Sequence, residues 1–289
     1  MAQKRTSLAI TGTTRIAGVV GNPIAHTLSP VMHNAAFAAL GIDAVYLPFG
    51  VVPGGLGNLL RVLSTVGALG LNVTIPYKQA VLRFLDELAP SARRIGAVNT
   101  VVFARGRRIG HNTDGYGCLA SLRPVCPPRG RRAVLLGAGG AGRAVAVALL
   151  DAGLAQLTLV EPEVAARRRL QDHLQHLGHT AVTALSPGTV EVRARLAEAR
   201  LVINATPLGL RPMDPLPIPA AWLPHRACVL DLVYGHGPTR WLRAARRRGC
   251  VTVPGWHMLL HQGAESFRLW TGRPAPLSVM RAALLAAGV

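Results

Sequence analysis

The chain has 289 residues, half of them hydrophobic, which is enough for two globular domains with sizeable cores. Its formal net charge is +19, but the arginines are spread along the chain rather than gathered in a tail or an aromatic-interleaved basic patch. This distribution favours an enzyme surface over a nucleic-acid-binding protein, although the positive field would still attract anions such as a carboxylate or a pyrophosphate. No apolar run reaches the roughly 18 residues that would indicate a membrane span.

Cysteine usage and the first residues bear on the cellular compartment. The four cysteines show no CxxC pattern or close pairing, which argues against a disulfide framework or a zinc site and is typical of a reducing cytosol. Residues 1–14, with Lys4 and Arg5, lack the apolar centre of a secretory signal. We therefore expect a cytoplasmic protein without a metal site.

The first part of the chain alternates short apolar runs with helical patterns, as βαβ units do. The helix expected over 30–40 has Ser29 as its N-cap and Gly41 as its stop. Two runs flanking Arg105–Gly106–Arg107 predict a hairpin. The predicted strands cover 16–20, 45–49, 69–74, 98–103 and 109–112, and a second helix covers 78–88.

A second α/β unit follows residue 113 in the same alternation. Its predicted strands cover 133–137, 157–160, 201–204, 229–233 and 251–253. Its predicted helices cover 140–151, 164–177 and 239–248, and two more helices end the chain near 257–270 and 277–287. Periodicity alone does not assign these last two helices to either unit.

The strongest local motif is a GxGxxG pattern at Gly137, Gly139 and Gly142, directly after a strand and opening a helix. Glycine permits the tight turn and lets the backbone approach a pyrophosphate, and the helix N-terminus presents N–H groups to that anion. The alternative is a glycine-rich turn in a domain that binds no nucleotide. The flanking strands and helix favour a Rossmann-type nucleotide-binding domain.

The next strand of this unit ends at Glu161, where a carboxylate would accept hydrogen bonds from the ribose hydroxyls of NAD. The same carboxylate would repel the 2′-phosphate of NADP, so NAD is the preferred cofactor. The arginines at 167–169 could weaken that preference and leave NADP possible. The alternative is a solvated glutamate at a strand end.

A single lysine stands out after the strand at 69–74. The chain has only Lys4 and Lys78 against thirty arginines. Arginine, with a pKa above about 12, cannot exchange a proton near neutral pH, whereas lysine can once its surroundings tune it. Lys78 is therefore a candidate proton donor for carbonyl reduction, or else a lysine that merely extends from a helix start. Asp114 is either a helix N-cap or a carboxylate of the same site.

Several motifs occur in an order that resembles the shikimate dehydrogenase family over nearly the whole chain. They are 21–30 with His33 and Asn34, 72–78, 97–100, 112–115, 137–141, 204–207 and 258–262. The resemblance implies two α/β domains, an N-terminal substrate domain formed by 1–113 with 256–289, and a Rossmann-type domain formed by 114–255. It also implies reversible NAD(P)-dependent reduction of 3-dehydroshikimate to shikimate, a step of aromatic amino acid biosynthesis.

The resemblance further implies the roles of individual residues. Lys78 and Asp114 would be the catalytic pair. The substrate carboxylate would be bound by Thr27 and Ser29, and the ring hydroxyls by Thr74, Asn99, Tyr234 and Gln262. The residues expected to bind the cofactor are Gly137, Ala138, Gly139, Gly140, Ala141, Glu161, Thr206, Leu232 and Gly255.

Three positions depart from the family pattern. Thr27 replaces the usual serine, the segment 161–163 replaces Asn-Arg-Thr, and His257 is also unusual. These departures favour NAD-using relatives that oxidise quinate to 3-dehydroquinate, or both quinate and shikimate. A nucleotide-sensing or nucleic-acid-binding protein on the same fold is a non-enzyme alternative, but the intact Lys78 and Asp114 speak against it. We expect a small ring acid as the partner, no nucleic acid or membrane, and a monomer or homodimer.

Overall fold

The computed structural model describes residues 10–289. Lys4 and Arg5, and most of the segment 1–14 considered above as a secretory signal, lie outside the described residues. The described chain forms two compact units. One runs to Thr113 and includes Gly263–Ala287, and the other comprises Asp114–Gln262 with Gly288–Val289. Both combine a six-stranded sheet with helices, which confirms the predicted α/β class.

The sheet of the first unit is mixed. Its strands are β1 (Arg15–Gly21), β2 (Ala44–Gly50), β3 (Gly70–Val73), β4 (Glu87–Leu88), β5 (Thr100–Ala104) and β6 (Arg107–His111). Their order is β2-β1-β3-β5-β6-β4. β1 pairs in parallel with β2 and β3, whereas β5 runs antiparallel to both β3 and β6. The predicted hairpin is confirmed, and Arg105 (φ 52°) and Gly106 (φ 73°) both take the left-handed conformation of a two-residue hairpin turn.

The helices of residues 10–113 are α1 (Ser29–Ala39), α2 (Leu56–Thr65), α3 (Tyr77–Ala80) and α4 (Pro90–Ile95), with a 3-10 turn over Val81–Phe84. The prediction of Ser29 as the N-cap of the first helix is wrong. The cap position falls on Leu28, so Ser29 is already helical, and the Leu28 side chain makes no capping hydrogen bond.

The predicted helix over 78–88 is also wrong, because tertiary pairing takes over its second half. β4 pairs with β6, and its flanking amides donate to that strand, from Asp86 N to Arg108 O at 3.0 Å and from Ala89 N to Gly110 O at 2.8 Å. Hydrogen bonds from the Arg108 side chain and backbone lower the pKa of Asp86 to about 2. These bonds to β6 replace the helical ones that local propensity favours.

The second unit has an all-parallel sheet in the order β12-β11-β10-β7-β8-β9. Its strands are β7 (Arg132–Leu136), β8 (Gln156–Val160), β9 (Val182–Leu185), β10 (Leu201–Asn204), β11 (Cys228–Asp231) and β12 (Val251–Pro254). Its helices are α5 (Asp114–Leu122), α6 (Gly140–Asp151), α7 (Val164–His176), α8 (Val190–Glu198) and α9 (Arg240–Arg247), with a 3-10 turn over Ala220–Trp222. Counted from β7, this is the doubly wound order of a Rossmann sheet, as predicted.

Two helices end the chain, α10 (Gly255–Thr271) and α11 (Leu277–Ala286). Trp256, Phe267 and Trp270 are buried in or beside them, which confirms their expected place in the core. Across residues 10–289, no helix combines the length and the apolar character that a membrane span requires.

A buried carboxylate connects three elements of the second unit. Asp231 ends β11 and is fully buried. It accepts hydrogen bonds from Asn204 Nδ2 at 2.8 Å, Val233 N at 3.2 Å and Thr239 Oγ1 at 2.6 Å. Thr239 is the N-cap of α9, so Asp231 links the ends of β10 and β11 to the start of that helix. Burial raises the pKa of Asp231 to about 6 despite these three donors.

We predict that the Asp231 carboxyl makes stability depend on pH. An unfolded aspartate titrates near about 3.9, so between roughly pH 4 and 6 the native state binds more protons than the unfolded state. The free energy of unfolding should therefore fall as pH rises through this window, by on the order of 2 kcal/mol from this group. Asp231→Asn should remove this contribution. Urea unfolding of both proteins from pH 4 to pH 7 measures it, and a constant difference between them would contradict the prediction.

Candidate active site

The first unit gathers polar side chains at one edge of its sheet. Val20 of β1 lies beside Val73 of β3 in parallel register, so the two strands end together, and the antiparallel β5 begins at the same edge. The carboxyl ends of strands in open α/β sheets are where ligands bind. Five predicted site residues follow or precede these strand ends: Thr27, Ser29, Thr74, Lys78 and Asn99. The predicted site residues of this unit therefore lie in segments next to strand ends at one edge of the sheet.

Backbone hydrogen bonds fix the loops that carry these residues. The Thr74 amide donates to Val20 O at 2.9 Å, and the Asn22 amide donates to Ile75 O at 3.0 Å, so the loops after β1 and β3 are bonded to each other. The Val98 amide donates to Lys78 O at 2.8 Å. The half-buried Lys78 is therefore attached through its backbone to the residue that precedes Asn99.

A glycine permits the close approach of these two loops. A Cβ on Gly21, the last residue of β1, would lie 2.5 Å from Thr74 Cγ2 and 3.1 Å from Ile75 O. Any side chain at this position would push Thr74 away from the end of β1. Glycine is therefore required at position 21 if the Thr74 side chain is to lie at this edge.

Two hydroxyl groups lie where α1 begins. The Ser29 amide donates to Thr27 Oγ1 at 3.3 Å, and Ser29 is buried. The cap residue Leu28 has no side-chain hydrogen bond to α1, so a ligand anion can combine these hydroxyls with other amides of the first turn. This arrangement fits a carboxylate.

A buried hydrogen-bond network holds the Asn99 side chain. Asn99 Nδ2 donates to Thr113 Oγ1 at 2.9 Å, and the Thr113 amide donates to Asn99 Oδ1 at 2.8 Å. Ser266 Oγ lies 3.2 Å from Thr113 Oγ1 and 2.7 Å from Thr100 Oγ1. All four side chains are buried, so their polar groups depend on one another for satisfaction.

Asn72 extends this network to β2. Its Nδ2 donates to Ser266 Oγ at 3.0 Å, and its Oδ1 accepts from the Tyr46 hydroxyl at 2.7 Å. Sequence reasoning gave no role to Asn72, Thr100, Thr113 or Ser266. One available signal was spacing, because Ser266 lies four residues after Gln262 and therefore on the same face of α10.

In the second unit, three glycines shape the turn between β7 and α6. Gly137 has a φ of +102°, and a Cβ there would lie 2.9 Å from Ala205 O. A Cβ on Gly142 would lie 2.1 Å from Gly137 O, so the helix packs directly on the turn. Gly139, just before α6, has open space where its Cβ would be. This turn, followed by Gly140 and Ala141 in the first turn of α6, fits a bound pyrophosphate.

Glu161 lies beside this turn. Its Oε2 accepts from the Ala138 amide at 2.8 Å, and its Oε1 accepts from the Glu163 amide at 3.0 Å. Arg167 Nη1 donates to the backbone oxygen of Glu161 at 2.7 Å, and Arg169 Nη2 lies 3.4 Å from Glu163 Oε1. The carboxylate is therefore held against the glycine-rich turn.

The remaining predicted cofactor residues follow the ends of β10, β11 and β12. The Thr206 amide (3.0 Å) and hydroxyl (2.6 Å) both donate to Asn204 Oδ1. The Nδ2 atom of Asn204 in turn donates to Asp231. Leu232 follows Asp231 directly, and Tyr234, predicted to bind the substrate, lies three residues after Asp231. A Cβ on Gly255 would lie 2.6 Å from the Asp231 and Leu232 carbonyl oxygens, so only glycine fits. Asn204 and Asp231, which sequence reasoning did not assign, organise this edge.

Asp114 on α5 and Gln262 on α10 both belong to the second unit, and their helices are in contact. Asp114 is the buried first residue of α5, and the buried Gln262 Nε2 donates to Leu259 O at 2.9 Å. A Cβ on Gly117 would lie 2.8 Å from Gln262 Cβ and 2.9 Å from Met258 O. Gly117, one turn after Asp114, is thus the contact point of α5 and α10.

Within residues 10–289, no group of three or more His, Cys, Asp or Glu side chains is placed to hold a metal ion. The polar groups described above are hydroxyls, amides, one lysine and carboxylates. They suit a hydroxylated organic acid and a dinucleotide.

Known proteins resemble the chain over nearly its whole length. The model of the Shikimate dehydrogenase substrate binding domain matches residues 19–101, and that of the Shikimate 5'-dehydrogenase C-terminal domain matches residues 255–285. The shikimate dehydrogenase (NADP(+)) of Symbiobacterium thermophilum is 48% identical over 283 residues, which cover 96% of this chain and 95% of that protein.

Solved structures agree with this result. The shikimate 5-dehydrogenase of Thermus thermophilus, in complex with NADP(H) and shikimate, is 39% identical with a TM-score of 0.83, covering 95% of this chain and 100% of that chain. The quinate dehydrogenase of Corynebacterium glutamicum, in complex with NAD, is 36% identical with a TM-score of 0.85, covering 94% and 99%. The chain therefore belongs to the shikimate dehydrogenase family of NAD(P)-dependent oxidoreductases that act on a CH–OH group.

Proposed function

We propose that this enzyme catalyses the reversible reduction of 3-dehydroshikimate to shikimate with a nicotinamide nucleotide. The observation that supports the proposal is that the segments carrying Thr27, Ser29, Thr74, Lys78 and Asn99 adjoin strand ends at one edge of the first sheet. A lysine among hydroxyls and an amide matches a carbonyl or alcohol on a ring that carries hydroxyl groups and a carboxylate. The first unit would then bind the substrate, and the second, with its glycine-rich turn, the nucleotide.

The proposed reaction transfers one hydride and one proton. The nucleotide, when bound, supplies or accepts the hydride at the ring carbon. In reduction, Lys78 gives a proton from its ammonium group to the oxygen as the alkoxide develops, and in oxidation the neutral amine takes it back. Asp114 orients the ammonium and the reacting hydroxyl. The preceding residue, Thr113, is bonded to Asn99, which fixes the backbone at this point.

Substrate recognition would use the remaining predicted residues. Thr27 and Ser29 bind the carboxylate through their hydroxyls, helped by the first-turn amides of α1. The hydroxyl groups of the ring are bound by Thr74, Asn99, Tyr234 and Gln262. The Asn99 side chain is already held by Thr113 before substrate binds, so little of its conformational entropy is lost when substrate binds.

For the cofactor we propose a preference for NAD, with NADP as the alternative. The curated relative from S. thermophilum carries NADP(+) in its name, whereas the C. glutamicum quinate dehydrogenase structure contains NAD. The Glu161 carboxylate supports NAD because it is held by the Ala138 amide beside the glycine-rich turn, where a 2′-phosphate would meet a negative charge. The same observation makes NAD-dependent oxidation of quinate a second candidate activity.

The direct test is a matrix of two acids and two nucleotides. Purified enzyme is mixed with shikimate or quinate and with NAD or NADP, and the absorbance of the reduced nucleotide is followed. We expect the highest kcat/KM with shikimate and NAD. Oxidation of quinate alone would favour the second candidate, and oxidation of neither acid would contradict the assignment to this reaction.

Lys78→Ala should lower kcat by roughly 10²–10⁴-fold, because the general acid is lost, while KM changes little. Lys78→Arg should recover almost no activity, because a guanidinium does not exchange protons near neutral pH. Steady-state kinetics with shikimate measures both variants. Gln79→Ala, at an exposed position of the same short helix, serves as the control and should behave as wild type. A change confined to KM in Lys78→Ala would leave Lys78 a binding residue only.

Glu161→Ala should shift the ratio of kcat/KM for NAD over NADP toward NADP by about tenfold or more, equivalent to at least ~1.4 kcal/mol. The reason is that the variant loses acceptors for the ribose hydroxyls and a charge that repels the 2′-phosphate. Glu163→Ala removes a neighbouring carboxylate that pairs with Arg169 and should leave the ratio nearly unchanged. Equal ratios in wild type and Glu161→Ala would remove the basis for the NAD preference.

A further inference from the structure

Tyr46 of β2 is held by two consecutive residues of α1. The Tyr46 amide donates to Asn34 Oδ1 at 2.7 Å, and Asn34 Nδ2 donates to the Tyr46 carbonyl oxygen at 3.0 Å. The Tyr46 ring stacks on the His33 imidazole, with the ring centroids 4.4 Å apart and the planes inclined by 10°. The family resemblance includes His33 and Asn34, and the proposed reaction gives neither of them a role.

The His33 side chain supports Tyr46 through its ring surface rather than through hydrogen bonds. It is fully buried, and among the residues that the structure describes neither of its ring nitrogens has a hydrogen-bond partner. Burial lowers the pKa of His33 to about 3, so the imidazole is uncharged near neutral pH. The Trp270 indole completes this cluster, because its centroid lies 6.0 Å from that of Tyr46 and 5.3 Å from that of His33. The position of the Tyr46 ring is therefore fixed without any help from its hydroxyl.

The Tyr46 hydroxyl satisfies one end of the buried Asn72 amide. It donates to Asn72 Oδ1 at 2.7 Å, so the amide oxygen faces Tyr46 and the amide nitrogen faces away from it. On that other side, Asn72 Nδ2 lies 3.1 Å from Asn99 O, 3.2 Å from Thr100 Oγ1 and 3.0 Å from Ser266 Oγ. The hydroxyl thereby stabilises one of the two possible orientations of this amide.

The orientation of the Asn72 amide bears directly on the backbone of Asn99. The Asn99 carbonyl oxygen can only accept, and it accepts from Val73 N at 2.8 Å as well as from Asn72 Nδ2. If the Asn72 amide were rotated by half a turn, its oxygen would face the Asn99 carbonyl oxygen, and two acceptors without a proton between them repel each other. A rotated amide would therefore displace Asn99, whose side chain is proposed to bind the substrate ring.

We propose that Tyr46 is a positioning residue for substrate binding, which acts through Asn72 on Asn99. Its hydroxyl keeps the Asn72 amide in the orientation that supports the Asn99 backbone, and α1 keeps Tyr46 in place. The same helix begins at Ser29, one of the residues proposed to bind the substrate carboxylate. Helix α1 would thus serve both the carboxylate and the ring of the substrate. This role rests on the proposed function, since it requires Asn99 to bind the ring.

Tyr46→Phe removes the hydroxyl but keeps the ring, so the stack on His33 and the backbone bonds to Asn34 remain. Asn72 Oδ1 then loses a donor in a buried place, and the amide rotates toward neighbouring hydroxyls that can donate to its oxygen. We expect the KM for shikimate to rise roughly tenfold, while kcat and the KM for the nucleotide stay within about twofold of wild type. Steady-state kinetics measures all three constants, and thermal unfolding checks that the variant is folded.

Tyr77→Phe is the matched control for a lost tyrosine hydroxyl. Tyr77 is also a buried tyrosine of the first unit, and its hydroxyl donates to Val51 O, outside the bonds of Asn72. This variant should lose stability, as expected for a lost buried hydrogen bond, but keep the KM for shikimate near the wild-type value. The same rise of KM in both variants would indicate a general loss of rigidity and would overturn the role of Tyr46.

A double variant tests whether Tyr46 acts through Asn99. Asn99→Ala alone should raise the KM for shikimate, and adding Tyr46→Phe should then change that KM by less than about twofold. Two rises that multiply would show that Tyr46 acts independently of Asn99 and would overturn the proposal, as would a wild-type KM in Tyr46→Phe. Neither result contradicts the proposed reaction. A wild-type KM in Asn99→Ala would instead contradict the proposed binding role of Asn99, and the role of Tyr46 with it.

Discussion

Parallel pairing places the carboxyl ends of neighbouring strands at one edge of a sheet, and both units of this enzyme depend on that constraint. In the first unit, β1 and β3 end side by side and carry Ser29 and Lys78 in the segments that follow them. In the second, β7, β8, β10 and β11 end together beside the glycine-rich turn and Glu161. Residues that are far apart along the chain therefore become neighbours without any direct bond between them.

Buried asparagines give these edges their fixed geometry. Asn72 near the end of β3 bonds Ser266, and Asn204 at the end of β10 bonds Asp231. Each amide both donates and accepts, so it can join a loop to a helix or to a second strand while leaving no polar group unsatisfied. The same logic explains why Asp231 tolerates burial, since three donors surround it.

The sequence was most informative where a local motif carries its own geometry. The turn at Gly137 and the hairpin at Arg105 require particular backbone conformations, and glycine or short loop spacing reveals them. It was least informative where tertiary bonds override local preference. The helix predicted over 78–88 gives way to β4, because β6 offers that segment strand partners. Helix α8 was not predicted from the sequence. The reason is that few of its residues are buried, and the buried ones are Val192 and Leu196.

The sequence by itself determined the alternation of strands and helices, the dinucleotide turn, the family resemblance and the residues expected to act. Only the tertiary structure decided which side chains support them. Ser266 meets Asn72 and Thr113, and Asn204 meets Asp231, through contacts between segments that are distant in sequence. Spacing indicates at most the helix face on which a residue such as Ser266 lies. It does not identify the partners, because these contacts arise from the packing of whole elements rather than from the conformation of any one of them.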